Sequence, residues 1–222
     1  MNTDLNTAEV TILFADLEGF TAFTEAHGDQ DAADCAERFY ELAGAGLVGD
    51  ARIVKTIGDA VMIVASLPTA AASTALNLAS IVNAEPQFPT IRAGLHTGLA
   101  VERGGDYFGA AVNLAARVTT YARSGQILCT EAVADAIHDM PDIELHAEGL
   151  AHLKNIAQPV ALFALERTEG LTSARQMDPV CRMRLDPARA PARLPYRDTL
   201  YVFCSFSCAQ KFAQSPETYH TP

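Results

Sequence analysis

The sequence has no apolar run long enough to span a membrane, and its N-terminus lacks the basic start and apolar stretch of a secretory leader. Basic residues are scarce: 16 Lys and Arg stand against 27 Asp and Glu, for a formal net charge of −11. That balance disfavours broad contact with nucleic acid or anionic membranes. The glycine signatures of P-loop and Rossmann nucleotide sites are also missing. We therefore expect a soluble, cytoplasmic protein with no nucleic-acid and no membrane partner.

Cysteine is sparse as well, with five residues in the chain. An odd number in a cytoplasmic protein argues against a disulfide framework. Cys35 and Cys129 lie within apolar segments and are predicted to be core residues. The other three, Cys181, Cys204 and Cys208, crowd into the C-terminal part of the chain and indicate a separate small unit.

The chain does have enough apolar sequence for a packed core, 49% of its 222 residues. Its charge is uneven, because residues 1–177 carry 10 Lys and Arg against 23 Asp and Glu, whereas residues 178–222 carry 6 against 4. The polar stretch "ERTEGLTSARQM" (166–177) between these parts is typical of a linker. Two units of different origin are therefore expected.

Apolar patterning predicts strands and helices that alternate along the first unit. The Gly58-Asp59 pair predicts a tight hairpin between "ARIVKTI" and "AVMIVAS". A second hairpin is predicted in which "TIRAGLHTG" and "LAVERGGD" pair through a turn at Thr97-Gly98. Helices are predicted over about 29–48, 68–83 and 109–122. The order indicates an α+β sandwich, with helices packed on one mostly antiparallel sheet.

Two carboxylates stand at the ends of predicted strands. Asp16 follows the apolar strand "EVTILFA", and Asp59 sits at the tip of the predicted hairpin. Taken alone, Asp59 is explained as a turn residue and Asp16 as a helix cap. If the two strands are neighbours, the carboxylates together form the hard oxygen site by which Mg²⁺ is held in nucleotide enzymes.

A polar pair interrupts a predicted helix of otherwise small, apolar residues in "DYFGAAVNLAAR". Asn113 and Arg117 are four residues apart and share one face of this helix. They could form a solvated stripe, but the planar guanidinium of Arg117 is also well shaped to bind phosphate.

Five segments now fall into a recognisable order and spacing: "FADLEGFT", "KTIGDAVM", "IRAGLHTG", "DYFGAAVNLAAR" and "HLKNIAQPV". Through them, residues 8–166 resemble the catalytic domain of class III nucleotidyl cyclases. The resemblance implies a ferredoxin-like α+β sandwich that acts as a head-to-tail homodimer on ATP. It leaves residues 167–177 as a linker and 178–222 as a second domain.

The resemblance also implies roles for individual residues. Asp16 and Asp59, with the Leu17 carbonyl, would hold two Mg²⁺ or Mn²⁺ ions per active site. Asn113 and Arg117 would orient the ribose and stabilise the transition state, and Arg92 and Lys154 would contact the triphosphate. Lys55 and Asp106 occupy the purine-reading positions with the residue types typical of adenylate cyclases. "LKN" stands where the family usually has "LKG", which puts the backbone at Lys154 in question.

The second unit places Cys181 before a Cys204-x3-Cys208 pair at a predicted strand-to-helix junction. Three thiolates at this spacing can converge on a soft metal ion, although three buried cysteines could also be plain core residues. The pieces "DPVC-M", "LYVFCS--C---F" and "P-TY" resemble the YHS domain, which is related to TRASH-type modules. "CRM" replaces the common "CGM". We expect a thiophilic ion such as Zn²⁺ or Cu⁺, with water, Asp178 or His220 as the fourth ligand.

Three functions are compatible with these features. The first is an adenylate cyclase that is modulated by metal binding to its C-terminal module. The second is a catalytically silent, cyclase-like dimer that binds a metal or a partner. The third, a guanylate cyclase, is disfavoured by Lys55 and Asp106, because guanylate cyclases typically carry Glu and Cys there.

Overall fold

A computed structural model describes residues 6–168 and 175–219. The helices in these ranges are α1 (Phe20–His27), α2 (Asp29–Ala45), α3 (Pro68–Ala84), α4 (Ala110–Tyr121), α5 (Glu131–Ile137), α6 (Phe206–Gln214) and α7 (Pro216–Tyr219). The strands are β1 (Asn6–Leu17), β2 (Arg52–Ile57), β3 (Ala60–Ala65), β4 (Phe88–Pro89), β5 (Ile91–Arg103), β6 (Asp106–Phe108), β7 (Ile127–Thr130), β8 (Ile143–Ala151), β9 (Val160–Arg167), β10 (Gln176–Met177), β11 (Met183–Leu185), β12 (Ala192–Tyr196) and β13 (Thr199–Phe203). None of the described helices is both long and apolar enough to cross a membrane.

One large sheet organises the first unit. Its strands lie in the order β2-β3-β1-β5-β7-β9-β8, and β6 pairs with β5. The β5–β7 pair is parallel, and the other pairs in the sheet are antiparallel. The predicted α+β sandwich with a mostly antiparallel sheet is confirmed.

The central strand β1 is covered on both faces because successive side chains of a strand point to opposite sides. Leu13 and Ala15 belong to the core that includes α2 and α3. Ile12 and Phe14 pack on the other side with apolar residues of α4. Asp16 has the same parity as Ile12 and Phe14, so the alternation puts it on the α4 side of the sheet.

The first predicted hairpin is confirmed and the second is wrong. Ile57 pairs with Ala60 across the Gly58-Asp59 turn. By contrast, β5 runs straight through Thr97-Gly98, and the chain turns at Gly104-Gly105 instead, where both φ angles are positive. In-register pairing with β1 holds the middle of β5 extended. Gly98 gives room for α4: a Cβ there would lie 3.2 Å from the Ala111 Cβ.

A short helix, α1, lies where the sequence pattern predicts no helix. It begins after Gly19, whose φ of 74° is left-handed, and it ends before Gly28. Phe23 anchors it in the main core. Because only two residues separate α1 from β1, the helix connects directly to the strand end that carries Asp16 and Leu17.

The C-terminal residues form a small module that packs on the first unit. β10 and β11 pair with each other, β11 also pairs with β4, and β12 and β13 form a hairpin beside α6. The module's β10–β11 pair therefore gains its third strand, β4, from the first unit. Part of the predicted linker (167–177) lies outside the described residues, and its far end forms β10, so the domain bounds stay a prediction.

Candidate active site and metal centre

Two carboxylates meet at the end of β1. Asp16 is the penultimate residue of that strand, and Asp59 lies in the turn between β2 and β3. Because β3 pairs with β1, with Ala60 opposite Asp16, the turn brings Asp59 to the same strand end. The Leu17 amide donates a hydrogen bond of 3.1 Å to the Asp59 carbonyl oxygen, which fixes the turn there.

This acidic pair carries a surplus of negative charge. The pKa of Asp59 is raised to about 6, first by burial and then by the charge of Asp16 and a hydrogen bond between the two carboxyl groups. Arg92, opposite Asp16 on β5, offsets part of that charge, with Nη2 and Nε at 2.7 and 3.0 Å from one Asp16 oxygen. Two carboxylates beside a single guanidinium suit a hard divalent cation such as Mg²⁺ or Mn²⁺.

A second ion pair joins β2 to β6. Nζ of Lys55 lies 2.7 and 2.8 Å from the two carboxylate oxygens of Asp106. The Tyr107 amide also donates to Asp106, at 2.7 Å. The hydrogen bond from Lys55 lowers the pKa of the Asp106 carboxyl group. The side chains remain 34% and 29% exposed, so a donor and an acceptor stand side by side within reach of a ligand.

The remaining predicted residues lie on α4 and in the turn after β8. Asn113 is exposed and Arg117 half-buried on α4, and Lys154 is exposed in the turn between β8 and β9. Within the part of the chain that the structure describes, no side-chain hydrogen bond or ion pair links these three residues to either pair. A single chain thus assembles the acidic pair with Arg92 and the Lys55–Asp106 pair.

Three thiols of the C-terminal module and one imidazole from α1 lie close together. Cys204 Sγ lies 3.5 Å from Cys181 Sγ and 3.6 Å from Cys208 Sγ. His27 Nε2, at the end of α1, lies 3.5 Å from Cys204 Sγ and 4.0 Å from Cys208 Sγ. All four ligand atoms lie within 4.8 Å of one another. Hydrogen bonds from Cys181 and then Cys204 lower the pKa of the Cys208 thiol, so the cluster favours a thiolate.

Local structure explains why the cysteines meet. Cys204 directly follows the β12–β13 hairpin, and Ser205 caps α6 by accepting from the Cys208 amide at 3.1 Å. Buried Asp178 ties the two loops together: one carboxylate oxygen accepts from Val180, and the other accepts from Cys204 at 2.8 Å. The carboxylate therefore holds the backbone of both cysteine loops.

Comparison with known proteins identifies both units. Residues 4–167 match the family described as "Adenylate and Guanylate cyclase catalytic domain". The chain belongs to this cyclase family. Residues 177–222 match the YHS domain, so the predicted fusion is confirmed.

Individual relatives agree with that assignment. A pH-sensitive adenylate cyclase of Mycobacterium tuberculosis is 38% identical over 162 residues, which are 72% of this chain and 41% of that protein. The chain therefore spans less than half of that relative. The adenylyl cyclase CyaB of P. aeruginosa superposes with a TM-score of 0.62 at 20% identity, covering 74% of this chain and 96% of that one. An adenylate cyclase of Trypanosoma brucei, described in its monomeric state, gives 0.62 at 27% identity, covering 80% and 93%.

The two residues that replace the usual glycines of the family motifs both have a left-handed backbone conformation. In the cyclase domain, Asn155 of "LKN" has a φ of 64°. In the YHS domain, Arg182 of "CRM" has a φ of 65°. Asn adopts this left-handed conformation at a lower cost than most residues, whereas Arg pays the usual steric penalty. The turns that carry Lys154 and Cys181 therefore tolerate the replacement of glycine.

One residue of the Cys/His cluster could not be predicted from the sequence. His27 lies far from the cysteines along the chain and belongs to the cyclase domain, and no spacing motif links them. The other two cysteines behave as predicted, because Cys35 and Cys129 are buried and burial raises the pKa of each thiol to about 12. Only the packing of α1 against the YHS module reveals the fourth group.

Proposed function

We propose that the protein is an adenylate cyclase that converts ATP to 3′,5′-cyclic AMP and pyrophosphate. The observation that carries this assignment is the Lys55–Asp106 pair, in which an ammonium donor and a carboxylate acceptor stand side by side on the cyclase domain. Adenine offers an acceptor at N1 and a donor at its 6-amino group, and this pattern complements Lys55 and Asp106. Guanine presents the inverse pattern, with N1–H as a donor and O6 as an acceptor.

Asp16 and Asp59, with the Leu17 carbonyl as a further ligand, would hold two Mg²⁺ or Mn²⁺ ions. Their surplus of negative charge supports this role. Bound ions of this kind supply Lewis-acid stabilisation of charge on the ribose 3′-oxygen and the phosphate oxygens. Arg92 would turn from Asp16 toward the terminal phosphates, and Lys154 would add a second cation there. In the reaction, the 3′-hydroxyl gives its proton to solvent water and its oxygen bonds to the α-phosphorus, while the bond from the α-phosphorus to the bridging oxygen breaks and pyrophosphate leaves with that electron pair.

The catalytic pair on α4 would act on the active site of a second copy of the chain. Asn113 would orient the ribose, and Arg117 would stabilise the charge that develops in the transition state. Among the described residues, neither makes a hydrogen bond or ion pair with the acidic pair of its own chain, which supports a homodimer with two shared sites. The rate per chain should then fall on dilution below the dimer dissociation constant.

The YHS domain would bind one thiophilic ion, such as Zn²⁺ or Cu⁺, through Cys181, Cys204 and Cys208, and modulate the cyclase. The convergence of the three sulfurs supports this role. The five free thiols suit a reducing compartment, so we assign the protein to the cytoplasm. We propose no nucleic-acid partner and no membrane partner for it.

The deciding experiment measures cyclic nucleotide production from ATP and from GTP with Mg²⁺ and with Mn²⁺. We expect cyclic AMP from ATP and a much lower rate with GTP. The double variant Lys55→Glu with Asp106→Cys should shift the preference toward GTP, because it inverts the hydrogen-bonding pattern. Equal rates with both nucleotides in the unaltered protein would refute the assignment of the base-reading pair. No product from either would favour the silent, cyclase-like dimer.

A further inference from the structure

We infer that His27 of the cyclase domain is the fourth ligand of the YHS metal site, so that one ion joins the two domains. The inference rests on the proposed metal binding by the YHS domain. Its basis is the position of the His27 Nε2 atom, which faces the sulfurs of Cys204 and Cys208 at 3.5 and 4.0 Å. All four ligand atoms, including the sulfur of Cys181, lie within 4.8 Å of one another.

The spacing of the four atoms fits a tetrahedral ion. With ordinary zinc bond lengths, a tetrahedron has sulfur–sulfur edges of about 3.8 Å and sulfur–nitrogen edges of about 3.6 Å. Two of the three sulfur–sulfur edges are 3.5 and 3.6 Å, and two of the three sulfur–nitrogen edges are 3.5 and 4.0 Å. Three thiolates and one imidazole form a common structural zinc set.

The alternatives expected from the sequence fit less well. Both carboxylate oxygens of Asp178 already accept backbone hydrogen bonds, from Val180 at 2.8 Å and from Cys204 at 2.8 Å. Asp178 therefore positions the cysteine loops rather than completing the ligand set. His220 lies outside the described residues. A water ligand would have to displace the His27 imidazole from the position that it occupies beside two sulfurs.

The end of α1 is held against the YHS domain by more than this cluster. Nζ of Lys211 donates to the carbonyl oxygens of Glu25 and Ala26, at 2.9 and 3.2 Å. These carbonyls belong to the last turn of the helix, where carbonyl oxygens have no hydrogen-bond donor within the helix itself. The ring of His27 also packs on Phe23, with centroids 4.6 Å apart. The imidazole is therefore oriented by its own helix and presented to the sulfurs.

An ion in this site would act on the catalytic end of the sheet. α1 begins just beyond Leu17, and its start is in contact with Arg182, the residue after Cys181. The ligand set thus spans α1: His27 stands at its end, and the Cys181 loop touches its beginning. Metal binding should reduce the motion of α1 as a whole, which links the YHS site to the strand end that carries Asp16.

The test uses the full chain and compares metal binding in matched variants. Zn²⁺ affinity is measured by competition with a chromophoric chelator, and Co²⁺ absorption reports the ligand set. We expect one Zn²⁺ per chain and a tetrahedral, thiolate-type Co²⁺ spectrum. His27→Ala should weaken Zn²⁺ binding by at least about 10- to 100-fold, the loss seen for residues that merely support a ligand. It should also change the Co²⁺ spectrum.

Two further variants make the result specific. His27→Cys should restore tight binding with a four-thiolate spectrum, whereas His138→Ala, which removes an exposed histidine from the end of α5, should behave like the unaltered protein. Hydrogen exchange should show that Zn²⁺ protects α1 in the unaltered chain and not in His27→Ala. If the unaltered protein binds Zn²⁺ and His27→Ala has the same affinity and the same Co²⁺ spectrum, the inference is wrong and the three-cysteine site stands. If the unaltered protein binds neither ion, the proposed metal function itself fails.

Discussion

Arg182 lies directly over the Cα atom of Gly19, where the cyclase and YHS domains touch. A Cβ atom built on Gly19 would lie 2.5 Å from Cγ and 2.6 Å from Cβ of Arg182. Both residues have left-handed backbones, with φ angles of 74° and 65°. Glycine at position 19 therefore serves two ends: it permits the turn from β1 into α1, and it makes room for the neighbouring domain.

Gly19→Ala should destabilise the protein by more than a backbone penalty alone. A left-handed conformation costs a non-glycine residue about 1–2 kcal/mol, and the overlap with Arg182 adds to that cost. Gly149→Ala is the matched control, because Gly149 has a φ of 87° and nothing within 4 Å of its added Cβ. Denaturant unfolding of both variants should show the larger loss for Gly19→Ala.

The steric part of this prediction is tested by removing the partner. In an Arg182→Gly background, Gly19→Ala should cost less than it does in the unaltered chain, because only the backbone penalty remains. A double-mutant cycle measures this difference directly. Additive effects of the two substitutions would show that overlap with Arg182 adds nothing to the cost of Gly19→Ala.

Local sequence signals predicted the parts of the site that depend on short-range chemistry. The Gly58-Asp59 turn could be recognised because a two-residue hairpin needs such residues. The Cys204-x3-Cys208 spacing could be recognised because a strand-to-helix junction brings both sulfurs together. The predicted break at Thr97-Gly98 failed because glycine serves there to admit α4 rather than to turn the chain. His27 could not be predicted, because its role depends on how α1 packs against a distant segment.

The Lys55–Asp106 pair should be visible in the titration of Asp106. Its pKa is lowered chiefly by the hydrogen bond from Lys55, so the ionised pair stabilises the folded protein above the unfolded pKa of about 3.9. That stability is lost as the pH falls through the lower, folded pKa. Lys55→Met should raise the pKa of Asp106 and cost less than about 1 kcal/mol, because the pair is partly exposed.

Carboxyl carbon NMR across pH 2 to 6 (roughly the range over which Asp residues titrate) makes the measurement. Asp50 provides an internal control, because its pKa is lowered by Ser66 and it should titrate identically in both proteins. An Asp106 titration that does not move in Lys55→Met would contradict the ion pair.

The proposed sharing of active sites between two chains predicts that two inactive variants can rescue each other. Asp16→Ala and Asp59→Ala should abolish turnover while the chain stays folded, because each removes a predicted metal carboxylate. Arg117→Ala should lower kcat by about 10²- to 10³-fold, as the loss of one preorganised transition-state donor does. Mixing Asp59→Ala with Arg117→Ala should restore activity, since the mixed dimer has one intact site and one doubly damaged site.

The control for this experiment is a mixture of Asp16→Ala with Asp59→Ala. Both substitutions remove groups supplied by the same side of the interface, so every site in the mixed dimer lacks one carboxylate and activity should stay absent. Subunit exchange is verified with differently labelled chains. Exchange without recovery in the Asp59→Ala and Arg117→Ala mixture would rule out sites shared between two chains.

Metal binding to the YHS domain should change the rate of cyclic AMP production. An ion can shift the cyclase only if it binds two states of the enzyme with different affinity. The ligand set offers such a difference, because His27 belongs to α1 and the three cysteines belong to the other domain. A coupling of ordinary size would alter the rate by about 5-fold or more when Zn²⁺ is added, with Mg²⁺ held in excess.

Cys204→Ser combined with Cys208→Ser should abolish this response, and His27→Ala should reduce it at Zn²⁺ concentrations that saturate the unaltered protein. Equal rates in the metal-free and the Zn²⁺-loaded forms of the unaltered protein would restrict the YHS domain to a structural or metal-storage role.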